Sequence, residues 1–260
     1  MARPFWREER VRLSDTTVAA TYRPGRGPVI VLEAGLGLPG SAWRRLCEHL
    51  PGDRAVLRYD RAGLGRSDPG ALPRTGARQA RELRELLRAL DLPAPYVLVG
   101  HSAGAFVVRL FAHAHPDEVA ALVLVDPSHE DEGPALRPVT RWAEASLSRL
   151  LRVAHLMSWS KHLAGTVRED EAFTATAEEV RQARRRHPLP DVPLRVITAR
   201  YPGWLPPGRS RRRESDRIRS LHRALAASVP RGRHLLARSG HLVMRDAPRF
   251  LASVIAGTHP

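Results

Sequence analysis

The 260-residue sequence predicts an α/β fold, with a mostly parallel central sheet, helices on both of its faces and an inserted helical cap. Three observations lead there. Short apolar runs alternate with helix-period stretches as far as Val125. The alternation then stops for about sixty residues, too long for a plain connection, so this stretch must carry structure of its own. Finally, a Gly-x-Ser-x-Gly stretch sits between an apolar run and a helical one, at Gly100–Gly104.

Taken in order, residues 10–22 read as a two-stranded start with a turn at Ser14–Asp15. Pro28–Ala34 (PVIVLEA) is a buried strand ending at Gly35. Ser41 is placed to cap a helix whose Trp43, Leu46, Cys47 and Leu50 recur at i, i+3, i+4 and i+7 and which Pro51–Gly52 stops. Ala55–Tyr59 is the next core strand. Helix 76–90 gathers Ala80, Leu83, Leu86, Leu87 and Leu90 on one face. Tyr96–Gly100 is a strand and 103–114 a helix that ends before His115–Pro116. Ala121–Val125 is the fourth core strand. Helical patterns follow near 139–157 and 168–186, then strand Leu194–Thr198, a Pro-, Gly- and Arg-rich loop, a helix near 214–228, a strand near 233–237 and a closing helix 246–256. The expected division is a core in two parts, 1–130 and 191–260, with a cap over 131–190.

Composition narrows the function. Apolar residues at 43% and charged residues at 27% are ordinary for a soluble globular chain. No run of eighteen apolar residues suggests a membrane span, and the N-terminus lacks the pattern of a signal peptide, so a cytoplasmic location is expected. A single cysteine, Cys47, excludes an internal disulfide and a cysteine metal cluster. The net charge of +15 raises the question of nucleic acid, but Lys161 is the lone lysine and the arginines are spread along the chain. Such short runs as Arg209–Arg213 and Arg184–Arg186 read as solvated faces, so no nucleic-acid or membrane partner is expected. A small-molecule substrate is; oligomeric state is left open.

The stretch Gly100-His101-Ser102-Ala103-Gly104 carries the chemistry. It follows the strand YVLVG and opens a helix, and a sharp strand-to-helix turn lifts the central side chain above the sheet in a strained backbone. Small flanking residues are required because the backbones crowd there. The helix N-terminus beneath favours developing negative charge. Ser102 is the candidate nucleophile, and the Ala103 amide, next after it, is a candidate donor to an oxyanion.

With Glu33-Ala34-Gly35-Leu36-Gly37, Tyr59-Asp60-Arg61-Ala62-Gly63-Leu64-Gly65-Arg66-Ser67 and Ser239-Gly240-His241 in the same order along the chain, the sequence resembles the α/β-hydrolase fold family, of the cap-bearing, single-domain serine hydrolase or esterase type. The likeness covers nearly the whole length. A serine where the epoxide-hydrolase and haloalkane-dehalogenase branches use a carboxylate speaks against those branches. The resemblance implies that His241, in the loop after the last strand, is the base, ahead of His234, which opens that strand. It implies that the second oxyanion donor is the Leu36 amide. Ala34 stands where members of the family often carry histidine. It also implies that Asp60 anchors a tight loop, with Ser67 and Asp68 in the same turn network.

The usual place for the acid, after strand LRVIT, holds Ala199-Arg200-Tyr201-Pro202-Gly203-Trp204 and no carboxylate. Some members of the fold place it one strand earlier, and here Asp126 ends strand ALVLV, where it can accept the Nδ1–H of His241. Its alternative reading is a cap of the Asp126-Pro127-Ser128 turn, with Asp216 or Glu130 as rival acids. The expected activity is acyl transfer on a carboxylic ester of a small, largely apolar substrate, with no cofactor and no metal. Amide, thioester and carbon–carbon bond hydrolysis use the same residues, and a non-catalytic ligand-binding protein is the alternative outside enzymes. Trp142, Leu147, Leu150, Leu151, Leu156, Met157 and Trp159 of the cap are expected to line an apolar pocket or to pack cap onto core.

Overall fold

The computed structural model describes residues 5–132, 161–200 and 209–258. Strands β1 (Arg7–Arg12) and β2 (Thr17–Arg23) form a hairpin in which Arg12 pairs with Thr17. They are followed by β3 (Arg26–Glu33), β4 (Arg54–Tyr59), β5 (Tyr96–His101), β6 (Val119–Val125), β7 (Leu194–Ala199) and β8 (Gly232–Ala237). The eight-stranded sheet runs β1-β2-β4-β3-β5-β6-β7-β8. The β1–β2 and β2–β4 pairs are antiparallel, and every pair from β4 to β8 is parallel. The helices are α1 (Arg44–Cys47), α2 (Gly76–Ala89), α3 (Gly104–Ala114), α4 (Lys161–Arg186), α5 (Arg209–Ala226), α6 (Val243–Asp246) and α7 (Pro248–Ala256).

Strand periodicity builds two cores. In β3, Val29 and Val31 face one core while Ile30 and Leu32 face the other. In β5, Leu98 and Val99 divide the same way, as do Leu124 and Val125 in β6. The central strands are therefore apolar on both faces, as a parallel sheet covered by helices requires. One core is closed by Leu83, Leu86 and Leu87 of α2, most of α3 and Val180 of α4. The other is closed by Trp43, Leu46 and Leu50, together with Val243, Leu251 and Ile255 from the C-terminal helices. Burying each such side chain is worth about 1.5–3 kcal/mol against leaving it exposed.

Two expectations are corrected. Ser41 is not a helix cap: a 3-10 turn covers Gly40–Trp43 behind Pro39, and α1 adds one short turn. Ser41 thus lies inside the turn and not ahead of it, and the Gly40 amide at the start of the turn donates to Asp60 Oδ1 at 2.8 Å, across the neighbouring loop. The closing helix is two pieces, α6 and α7, because Ala247 precedes Pro248 and is pushed out of the helical region (φ −136°, ψ 53°). Of the two helical patterns expected in 131–190, the second forms the C-terminal part of α4. The first, with Trp142, Leu147, Leu150, Leu151, Leu156, Met157 and Trp159, lies outside the described residues. Among those described, no helix is long and apolar enough to cross a membrane.

Candidate active site

The parallel strands bring their C-terminal ends to one edge of the sheet, and the candidate residues collect there. Ser102 sits between β5 and α3 with φ +51°, a left-handed conformation rare for any residue other than glycine. Its backbone is held on both sides: the Ser102 amide donates to Val125 O at 3.1 Å, and the Ser128 amide donates to Ser102 O at 3.0 Å. The turn is so tight that a Cβ on Gly104 would lie 2.4 Å from Ala34 O, which is why the motif ends in glycine.

His241 follows β8 through Ser239-Gly240 and reaches back over the sheet edge. Its Nε2 lies 3.1 Å from Ser102 Oγ, and its Nδ1 lies 2.6 Å from Asp126 Oδ2. A carboxylate can only accept, so Nδ1 carries the hydrogen and Nε2 is left to accept from the serine hydroxyl. Asp126 also has a positive φ, +42°, just past the end of β6. Its Oδ1 accepts the Ala199 amide at 2.9 Å, and its own amide donates to Ile197 O at 2.7 Å. The Asp126 side chain is almost wholly buried, while that of His241 is 32% exposed.

The rival acids are elsewhere. Glu130 is fully buried and forks onto Arg109 of α3, with bonds of 2.6 and 2.8 Å. Burial pushes its carboxyl up, but the Arg109 fork outweighs that and holds it down at about 2. Asp216 is 72% exposed on α5 beside Arg219. His234, the rival base, faces Thr198 Oγ1 at 2.8 Å, and that hydroxyl also lies 2.7 Å from His222 Nδ1. His222 Nε2 in turn lies 2.8 Å from Pro127 O. This second histidine chain ends on the carbonyl of the residue after Asp126, and spacing along the sequence gives no sign of it.

Leu36 and Ala103, whose amides are the candidate donors, line one pocket with Phe106, Val107, Gln79 and Phe173. Neither amide donates a hydrogen bond to a described residue. Leu36 lies in a tight turn closed by the Leu38 amide on Gly35 O, at 3.0 Å. Asp60 anchors the neighbouring loop: Oδ1 accepts the Gly40 amide and Oδ2 the Arg66 amide at 2.9 Å, while Ser67 Oγ donates to Asp60 O at 2.6 Å. Asp68 joins the same turn through its carbonyl, which accepts the Gly63 amide at 2.8 Å.

His101 has a role that its place in the motif conceals. The ring is buried, packs edge-on against Trp43 and puts Nε2 3.0 Å from His241 O. That carbonyl accepts, so Nε2 carries the hydrogen and His101 tethers the backbone of His241. Burial, reinforced by the nearby His241, pushes the His101 ring down to about 3 and keeps it neutral. A histidine directly before the serine gave a sequence signal, but not one that says what the ring would touch. For metals, His129, Glu130 and Asp131 bring ligand-type atoms within 4.8 Å of one another. Glu130 is committed there to Arg109, so the group fits an ion pair better than a cation site.

Comparison with known proteins agrees with this architecture. The chain is 34% identical over 127 residues to the uncharacterized protein YqjL of Bacillus subtilis strain 168, covering 48% of this chain and 50% of that protein. It is 41% identical over 119 residues to the lipase LipV of Mycobacterium tuberculosis, covering 45% and 44%. The matched stretches thus span half or less of these relatives. Among solved structures, Cfl2 of Burkholderia cenocepacia superposes with a TM-score of 0.72 at 20% identity, over 98% of this chain and 96% of that one. A family profile described as alpha/beta hydrolase fold matches residues 27–224, and the chain belongs to that family.

Proposed function

We propose that the chain is a serine hydrolase acting by acyl transfer, with a carboxylic ester as substrate. The observation that carries this reading is the line of hydrogen bonds from Ser102 through His241 to Asp126. Ser102 Oγ attacks the ester carbonyl as His241 Nε2 takes its proton. The carbonyl oxygen becomes negative and is met by the Leu36 and Ala103 amides, which donate to no described residue. The tetrahedral adduct collapses, and His241 returns the proton to the departing alcohol. Water, deprotonated by His241, then attacks the acyl-serine and releases the acid. Asp126 keeps Nδ1 protonated and stabilises the imidazolium. None of these steps calls on a metal or cofactor.

The similarity to a protein named as a lipase supports an ester over an amide or thioester. We take residues 131–190 as an insertion that selects substrate, with Phe106 and Phe173 giving the pocket an apolar wall. The test is labelling with a fluorophosphonate, followed by turnover of nitrophenyl esters of graded acyl length. The wild type should take up one probe per chain, on Ser102, and Ser102→Ala should lose both labelling and turnover with its melting temperature unchanged. Retention of more than a few per cent of the turnover in that variant would remove Ser102 from the reaction.

A further inference from the structure

The loop that carries the Leu36 amide is gripped from both sides by two buried side chains. Arg61, in the loop after β4, spends all five N–H groups there. Its Nη1 donates to Glu33 Oε1 and to Ala34 O, each at 2.6 Å. Its Nη2 donates to Gly35 O and to Glu169 Oε2, each at 2.8 Å, and its Nε donates to Glu169 Oε1 at 2.7 Å. Glu169, on α4, closes the grip by accepting the Gly37 amide at 2.9 Å on the same Oε2. The carbonyls of Ala34 and Gly35 and the amide of Gly37 are therefore fixed around the Leu36 donor. Both side chains are 4% exposed, and both line the pocket next to Leu36 and Ala103.

Backbone contact seats the helix that brings Glu169. A Cβ on Gly165 would lie 2.2 Å from Gly63 O, so the first turns of α4 press directly on the loop that holds Arg61. Tyr59 donates to Glu33, completing a cluster in which two carboxylates share one guanidinium. Burial raises the proton affinity of Glu33, against the opposing pull of Arg61 and Tyr59.

We infer that Glu169 and Arg61 are positioning residues for the oxyanion donor, through which helix α4, from beyond β6, sets the geometry of the Leu36 amide. This rests on the serine-hydrolase reading of Ser102. An oxyanion donor works by being aimed in advance, so loosening it costs rate and leaves ground-state binding nearly intact.

The experiment compares wild type, Glu169→Ala and Glu169→Gln. Esterase rates are normalised to the number of serines that a fluorophosphonate finally titrates, and deuterium uptake is followed in peptides covering residues 33–40. Glu169→Ala should lower kcat per titrated site by about a hundredfold, the scale of losing one oxyanion donor, with KM little changed. Uptake in 33–40 should rise. Glu169→Gln keeps one acceptor for the Gly37 amide and should recover part of the rate. It also keeps the test open if the alanine variant folds poorly. If both variants match wild-type kcat per titrated site, the clamp is overturned, even if their melting temperatures fall. If the wild type does not react with the probe, the serine-hydrolase reading falls, and this inference with it.

Discussion

Replacing Asp126 by Asn tests the candidate acid with almost no change of shape. In the native site, Oδ1 accepts the Ala199 amide at 2.9 Å and Oδ2 accepts His241 Nδ1–H at 2.6 Å. An asparagine has one acceptor oxygen for these two donors. If the oxygen serves Ala199, its NH2 faces Nδ1, which must then accept, and the imidazole hydrogen moves to Nε2. That tautomer presents a hydrogen to Ser102 Oγ and cannot take its proton. If the amide flips instead, NH2 meets the Ala199 N–H and leaves a buried donor unsatisfied, at about 1–3 kcal/mol. The flip keeps only a minority of molecules competent, and these also lack a negative charge to stabilise the imidazolium. The combined loss should approach ten-thousandfold in kcat, the size known for this change in a serine protease. That is about 5.4 kcal/mol, at 1.36 kcal/mol per tenfold. The assay is steady-state hydrolysis of a nitrophenyl ester per titrated serine, with Asp216→Asn as the exposed control. A loss under tenfold for Asp126→Asn, or an equal loss in the control, would refute the assignment.

Two further expectations follow from buried histidines. His101→Ala should cost about 1–3 kcal/mol of stability by removing a buried hydrogen-bond partner of the His241 carbonyl, and should lower kcat without abolishing it. A loss as complete as that of Ser102→Ala would give His101 a chemical role. Burial depresses His101 to about 3 and both His113 and His129 to about 4. These rings are neutral when folded but take up protons near pH 6.5 when unfolded, so the unfolded state binds more protons below that pH. Their stabilisation is full above about pH 6.5 and is lost as pH falls towards 4 and then 3, at up to about 2 kcal/mol per ring by pH 5. Glu132, pushed up to about 8 by burial, works in the opposite sense. The melting temperature should drop between pH 7 and pH 5, and His113→Asn should flatten the drop. A melting temperature independent of pH over that interval would contradict the burial of these rings.

What the sequence makes legible is governed by how local the determining contacts are. β5 and β6 announce themselves because both faces are buried and each is a continuous apolar run bounded by turn residues. The turn at Ser102 is legible for the same reason, since strand, glycine and helix are contiguous. The placing of Ser41 fails because the turn begins one residue earlier, at Gly40 behind Pro39, where Asp60 of another loop holds the Gly40 amide. Arg61 and Glu169 are 108 residues apart, and no periodicity links them. Nor does any spacing couple Arg109 to Glu130, which ties α3 to the loop just after Asp126. Charged residues in an arginine-rich chain read as surface, and three of the most informative here, Arg61, Arg109 and Glu169, are buried.

The position of the candidate acid follows from the sheet. β6 and β7 are parallel neighbours in register, with Val125 paired to Ile197, so Asp126 and the end of β7 arrive side by side at the sheet edge. Neighbouring strands lie about 4.8 Å apart, less than the length of a reaching imidazole plus its hydrogen bond, so a carboxylate on either strand end can meet a histidine from the loop after β8. This chain has no carboxylate directly after β7. The end of β7 contributes a backbone N–H instead, from Ala199, which pins the free oxygen of Asp126. The left-handed turn at Asp126 completes the arrangement by bending the chain out of strand geometry as its side chain reaches His241. The strand end that lacks a carboxylate therefore still holds the carboxylate of its neighbour, and the line of hydrogen bonds from Asp126 through His241 to Ser102 is complete with the candidate acid at the end of β6.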